Sequence, residues 1–157
     1  MVMPIFIDIT DRPGFNQLLT PLHSETPAKW GRLKPQNMIE HLTEAVGYTN
    51  GKRIAILAVS EEEATRQKKS KVNIDFVIPK FAKGFLPDAT MHVRCADLPS
   101  AIRELYRELD AFEFYFRTEG RTAIHPAFGP MDYKEWLLWH GKHFAHHFIQ
   151  FGLMVDS

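Results

Sequence analysis

The run Glu135-Trp-Leu-Leu-Trp-His140-Gly-Lys-His143-Phe-Ala-His146-His147-Phe-Ile-Gln150 constrains this chain more than any other part of it. On a helix, at ~100° per residue, His140, His143 and His147 fall within a ~60° arc and His146 sits to one side. His143 and His147 are four apart, which places their Cβ atoms ~5–6 Å from each other on one face. That spacing lets two neutral imidazoles hold one divalent ion at ~2.0–2.1 Å per bond. His140 and His147 are two turns apart, ~10.5 Å along the axis, and cannot share an ion without distortion. A two-histidine grip needs a third ligand from elsewhere. The best placed is His41, in Gln36-Asn-Met-Ile-Glu-His41-Leu. The chain must therefore fold so that a helix near its end meets a helix from its first third.

The apolar spacing supplies those helices. A first helix is expected after Asp11, with Pro13 in its opening turn and Phe15, Leu18, Leu19 and Leu22 as its stripe. A second starts near Pro35, with Met38, His41, Leu42, Ala45 and Thr49 on one face and Asn50-Gly51 as its stop. A third is expected over about 99–118, carrying Ile102, Leu105, Tyr106, Leu109, Phe112 and Phe116, with Gly120 beyond its end. Asp132 caps a fourth that runs to about Gly152. Residues 27–34 read as a connecting loop, with Trp30 and Leu33 against the second helix. His125-Pro-Ala-Phe-Gly129-Pro130 reads as a turn-rich loop. Four amphipathic helices predict an all-α helix bundle.

Residues 52–96, between the second and third of these helices, are the least regular. Ile54 to Val59 reads as strand or helix. Ser60 with Glu63 reads as a capping box opening a short charged helix through Lys69. Val72, Ile74, Phe76 and Ile78 alternate, as do Met91, Val93 and Cys95, which predicts extended segments. Phe81, Gly84, Phe85 and Pro87 lie between them. The segment either covers one face of the helices or closes over a pocket as a lid; simple cover is the favoured reading.

A chain of 157 residues, 45% hydrophobic, fits one domain over 1–157 with a substantial core. Its formal charge of zero gives no reason to expect nucleic acid or an anionic membrane as a partner. The single Cys95 cannot form an internal disulfide. The start lacks the pattern of a signal peptide, and no apolar stretch is long enough to span a bilayer. These features predict a soluble, cytoplasmic protein acting on a small molecule.

Three neutral imidazoles leave a bound ion its full double charge and open positions, the arrangement of a chemical rather than a structural site. Zinc or nickel suits the ligand set best, with iron or manganese following. Gln150, three residues past His147, is placed to orient a ligand. His125, His140 and Glu40 are candidates for a catalytic base. Against this stand two blander readings: His143 and His147 bond to carboxylates such as Glu40 or Glu44, or the histidines serve packing alone. Cys95 reads as a small buried hydrophobe. There is no His-Glu-x-x-His, no phosphate-binding glycine loop, no Gly-x-Ser-x-Gly elbow and no Glu-x-x-His pair.

The string from His143 to Gln150 resembles the last-helix signature of the DinB/YfiT-like superfamily, and residues 36–42 resemble its second-helix histidine motif. Trp30-Gly31, His125-Pro126 with Phe128-Gly129, and Gln150-Phe151-Gly152 resemble one poorly characterised branch of it. The resemblance implies a DinB-like four-helix bundle in up-down-down-up order. It also implies a divalent ion on His41, His143 and His147, with His146 outside the ligand set, and a homodimer. Characterised members include transferases and isomerases that use low-molecular-weight thiols. The expectation is a metal-dependent enzyme, either a thiol-dependent S-transferase or a small-molecule hydrolase. The alternative is a non-catalytic protein that binds metal or a small ligand.

Overall fold

The computed structural model describes residues 5–82 and 92–155. Gly84, Phe85, Pro87 and Met91 lie outside the described residues. Five helices and two short strands follow in the order α1 (Arg12–Leu19), α2 (Pro35–Gly47), α3 (Glu61–Lys71), α4 (Leu98–Tyr115), β1 (Ala123–His125), β2 (Gly129–Met131) and α5 (Tyr133–Gln150).

Each helix begins where its sequence supplies a cap. The Asp11 side chain accepts from the Gly14 N–H at 3.2 Å, Ser60 from Glu63 at 3.1 Å and Asp97 from Ser100 at 2.8 Å. Asp132 and Glu135 form a reciprocal capping box at the head of α5. Pro35 opens α2, where a missing N–H costs nothing. Helix ends come earlier than the apolar stripes predict. Leu22 is buried but lies beyond α1, and α4 stops at Tyr115 rather than near Thr118.

The fold is mostly helical but not strictly all-α. Residues 125–130, expected as a plain loop, close an antiparallel hairpin in which Ala123 faces Met131 and His125 faces Gly129. Gly129 takes a positive φ of 76°, a turn conformation open to glycine, and the strands are three residues long, too short for alternation to reveal them. The alternating residues 72–78 and 93–95 form no strand among the described residues, and residues 54–59 form neither helix nor strand. Their backbone is held by scattered contacts instead. Ala58 N–H donates to the Pro126 carbonyl at 2.8 Å, and Arg94 N–H to Glu40 at 2.6 Å.

The core sits where α2, α4, α5 and α1 meet. Met38, Leu42 and Val46 of α2 and Leu105, Leu109 and Phe112 of α4 are buried together. From α5, Phe144 and Phe148 pack on Phe15 of α1 at ring separations of 5.7 and 5.4 Å. This leaves α5 buried on most of its circumference. No described helix is long and apolar enough to cross a membrane.

Gly141 decides how the N-terminal segment meets α5. Ile7 N–H donates to the Gly141 carbonyl at 3.0 Å. A Cβ at Gly141 would lie 2.5 Å from the Ile7 carbonyl oxygen and against the Phe6 ring. Inside an ordinary helix, Gly→Ala stabilises by about 1 kcal/mol. Here the sign should reverse: Gly141→Ala is expected to lower unfolding stability by about 1–3 kcal/mol through overpacking, measured by urea denaturation. A variant as stable as wild type would show that the segment does not hold this close approach.

Candidate metal centre

His41 projects from α2, and His143 and His147 from one face of α5. Ligand-capable nitrogens of the three lie within 4.8 Å of one another. His41 Nε2 and His143 Nε2 are 3.1 Å apart. The ring centroids are 5.0 Å apart for His41 and either partner, and 4.9 Å for His143 and His147. Two nitrogens at ~2.05 Å from one tetrahedral ion would stand about 3.3 Å apart, so the donor spacing suits an ion. No carboxylate belongs to the cluster. All three rings are held neutral by burial, which lowers the pKa of His41, drives His147 down to about 3 and takes His143 well below the usual imidazole range. His147 and His41 further disfavour a charge on His143, as His41 does on His147, while Glu44 partly opposes the effect of burial at His41.

One hydrogen-bond chain fixes His147. The Gln150 amide donates from Nε2 to the Trp30 carbonyl at 2.9 Å. That orientation turns Oε1 towards His147 Nδ1 at 2.8 Å, so the proton of the neutral ring resides on Nδ1 and the Nε2 lone pair is left for the cluster. Gly31, at φ 77°, leaves room for the amide: a Cβ there would stand 3.0 Å from Gln150 Nε2. Lys29 N–H closes the loop onto the Gln150 backbone carbonyl at 2.7 Å.

His146 stays outside the cluster and meets the Trp30 ring edge at 5.7 Å. His140 is 1% exposed, stacked on Trp136 at 5.0 Å. Its Nε2 is 2.9 Å from Thr49 Oγ1, whose own hydroxyl proton donates to the Val46 carbonyl at 2.8 Å. His140 therefore donates from Nε2, and its Nδ1 lone pair is buried without a partner. His125 lies at the end of β1, where its Nδ1 accepts from Ala127 N–H at 3.0 Å and its ring stacks on Phe128 at 4.0 Å. Neither histidine belongs to the ligand cluster. Glu40, next to His41 in sequence, is taken up elsewhere. It accepts from Gln36 at 2.9 Å and from Arg94 N–H at 2.6 Å, and its carboxylate lies 3.6 Å from the Arg94 guanidinium. Glu44 pairs with Arg53 at 3.3 Å. The carboxylates that might have tied up His143 and His147 thus face other partners. The Cys95 thiol donates to Glu104 at 2.8 Å, and burial together with that carboxylate pushes it up to about 11, the opposite of activation.

Two participants escaped the sequence reading. Trp30 holds the centre through its backbone carbonyl, which no side-chain pattern signals. Lys142 is 3% exposed, between two residues of the histidine run, and donates to the carbonyls of Ile74 at 3.0 Å and Phe76 at 2.6 Å. A lysine in an otherwise aromatic helix stretch was the available clue.

With the geometry in view, the comparison with known families is informative. A family model described as a protein of unknown function (DUF1569) matches residues 64–153. The chain belongs to the DUF1569 family. The match takes in α4, the hairpin and α5, with His143, His147 and Gln150, and leaves α2 and His41 outside it. No curated protein and no solved structure matches this DUF1569 chain.

Burial drives His125 and His140 down to about 3, so both are neutral when folded. Unfolded imidazoles protonate near ~6.5. Below that pH the unfolded chain binds the extra protons, and stability should fall by up to about 1.4 kcal/mol per pH unit for each ring. The melting temperature of chelator-treated protein is expected to drop steadily from pH 7 to pH 5. A flat profile would mean that these rings are charged in the folded state.

Proposed function

We propose that this DUF1569 protein is a member of the DinB/YfiT-like superfamily with its four-helix bundle, formed by α1, α2, α4 and α5. We read His41, His143 and His147 as the ligands of one divalent ion, zinc or nickel before iron or manganese. The observation that carries this reading is the convergence of three neutral imidazole nitrogens within 4.8 Å, one of them with its tautomer fixed by Gln150. Without an ion, one hydrogen bond can form between His41 and His143 at 3.1 Å, and ligation would instead use a nitrogen of all three rings. When bound, such an ion supplies Lewis acidity to a small nucleophile or substrate.

The chain's own residues set the rest. His147 is aimed by Gln150, Gln150 by Trp30, and the pair would act as the outer support of the centre. His41 and His143, both half-buried, form its more open side. The reactions that suit a three-histidine ion here are thiol-dependent S-transfer and small-molecule hydrolysis. A second reading, a non-catalytic metal or ligand binder, is favoured by one observation. Glu40, His125 and His140, the candidate bases, each make other contacts, and none of them belongs to the cluster.

Elemental analysis of untagged protein tests the centre. About one zinc or nickel per chain is expected in wild type, lost in His41→Ala, His143→Ala and His147→Ala. Uptake that survives all three substitutions would sink the assignment. Gln150→Leu should keep the fold and weaken metal affinity by about 10–100-fold, read by competition with a chromogenic chelator. Loaded protein that turns over no substrate in thiol-transfer and hydrolysis screens would favour the binding reading.

A further inference from the structure

Beside the histidine cluster lies a cavity of about 250 Å³ between α5 and the strap formed by residues 76–80. On α5 its wall is the stripe Lys142, His146 and Ile149, one residue round the helix from the stripe His143, His147 and Gln150. The two sites share their boundary. His146 lies 5.0 Å from the His147 ring, and Trp30 presents its ring to the cavity while its carbonyl takes the Gln150 amide. We infer that this cavity binds a small organic anion, a carboxylate on an apolar or aromatic body, with Lys142 as the cation that receives its head.

The lining carries the argument. Trp30, Phe76, Ile78 and Ile149 supply apolar walls, and the charged residues among the lining are both lysines, Lys80 and Lys142. No carboxylate is among the described residues that line the cavity. The Lys142 ammonium is buried and donates to two neutral carbonyls, which use two of its three N–H groups and cancel none of its charge. It makes no direct ion pair among the described residues; Asp75 is the carboxylate whose charge reaches it. A buried cation without a counter-ion costs folding energy that an anionic ligand would recover. Lys80 sits 5.1 Å from the Trp30 ring centre and adds a second positive charge at the rim. The volume falls below the ~300–1,000 Å³ of drug-sized sites, which limits the ligand to about the size of a phenyl or short alkyl acid. As a substrate class this rests on the reading of a three-histidine centre next door; as a binding site it does not.

Calorimetric titration with phenylacetate, phenylacetamide and phenethylammonium tests it on the full chain. Phenylacetate should bind saturably, the isosteric amide at least tenfold more weakly, and the cation not at all. Lys142→Met, folded by circular dichroism, should weaken phenylacetate at least tenfold. If that variant fails to fold, the acid-to-amide ratio in wild type decides alone. Trp30→Phe, which keeps the carbonyl used by Gln150, should remove most of the tryptophan fluorescence change on binding. Chelator-treated His143→Ala should still bind phenylacetate. Equal affinity for acid and amide, no saturable binding at millimolar concentrations, or unchanged binding in folded Lys142→Met would overturn the proposal. So would loss of binding in His143→Ala, which would place the carboxylate on the metal instead. Failure of the metal centre itself would appear in the elemental analysis and leave phenylacetate binding in place.

Discussion

The bond between His147 Nδ1 and Gln150 is the middle link of a chain that runs from the histidine cluster to the loop before α2. It satisfies a buried ring nitrogen, selects the tautomer that leaves Nε2 unprotonated, and lets the Gln150 amide reach the carbonyl of Trp30. The loop before α2 is thereby anchored to the end of α5. Were Gln150 apolar, the buried His147 donor would lose its partner, at about 1–3 kcal/mol, and the partly buried Trp30 carbonyl would lose its own. The position of the Trp30 ring, and with it one wall of the cavity, follows from the same contact.

Around that bond the fold takes in five imidazoles, three buried and His41 and His143 half-buried, and it can do so because they are neutral. The environments differ in kind. His125 and His140 lie among Phe128, Trp136 and Phe112, each with one nitrogen engaged by a neutral group. His41, His143 and His147 face one another instead. The first arrangement spends one nitrogen of each ring on a neutral partner and leaves the His140 Nδ1 lone pair buried. The second brings nitrogens of three rings together at one point, where they could hold an ion.

Much of the helical skeleton was legible. Asp11, Ser60 and Asp132 each stand at a helix start, and the stripes Met38–Leu42 and Leu105–Leu109–Phe112 face the core as their spacing requires. His41 does lie with His143 and His147, the grouping that the four-residue spacing of the last two suggested. The hairpin at residues 123–131 was hidden by strands shorter than one period of alternation. The course of residues 72–80 was hidden for another reason: its anchors are main-chain carbonyls taken by Lys142 and by the indole of Trp30, and carbonyls leave no trace in the order of side chains. Glu40 shows the limit within a single turn, since its neighbour His41 turns to the cluster while Glu40 reaches residues 94 and 95.

His41 and His143 are 102 residues apart in the chain, yet their nitrogens nearly touch. A contact of that span closes a long loop, and loop-closure entropy must be met before the contact repays it. The order of events during folding follows. Local helices and their caps can form early, but the histidine cluster exists only once α5 has docked on α2. An ion bound there would join the first third of the chain to its last helix, restraining the whole intervening stretch as a crosslink does. It would slow the undocking of α5 most of all.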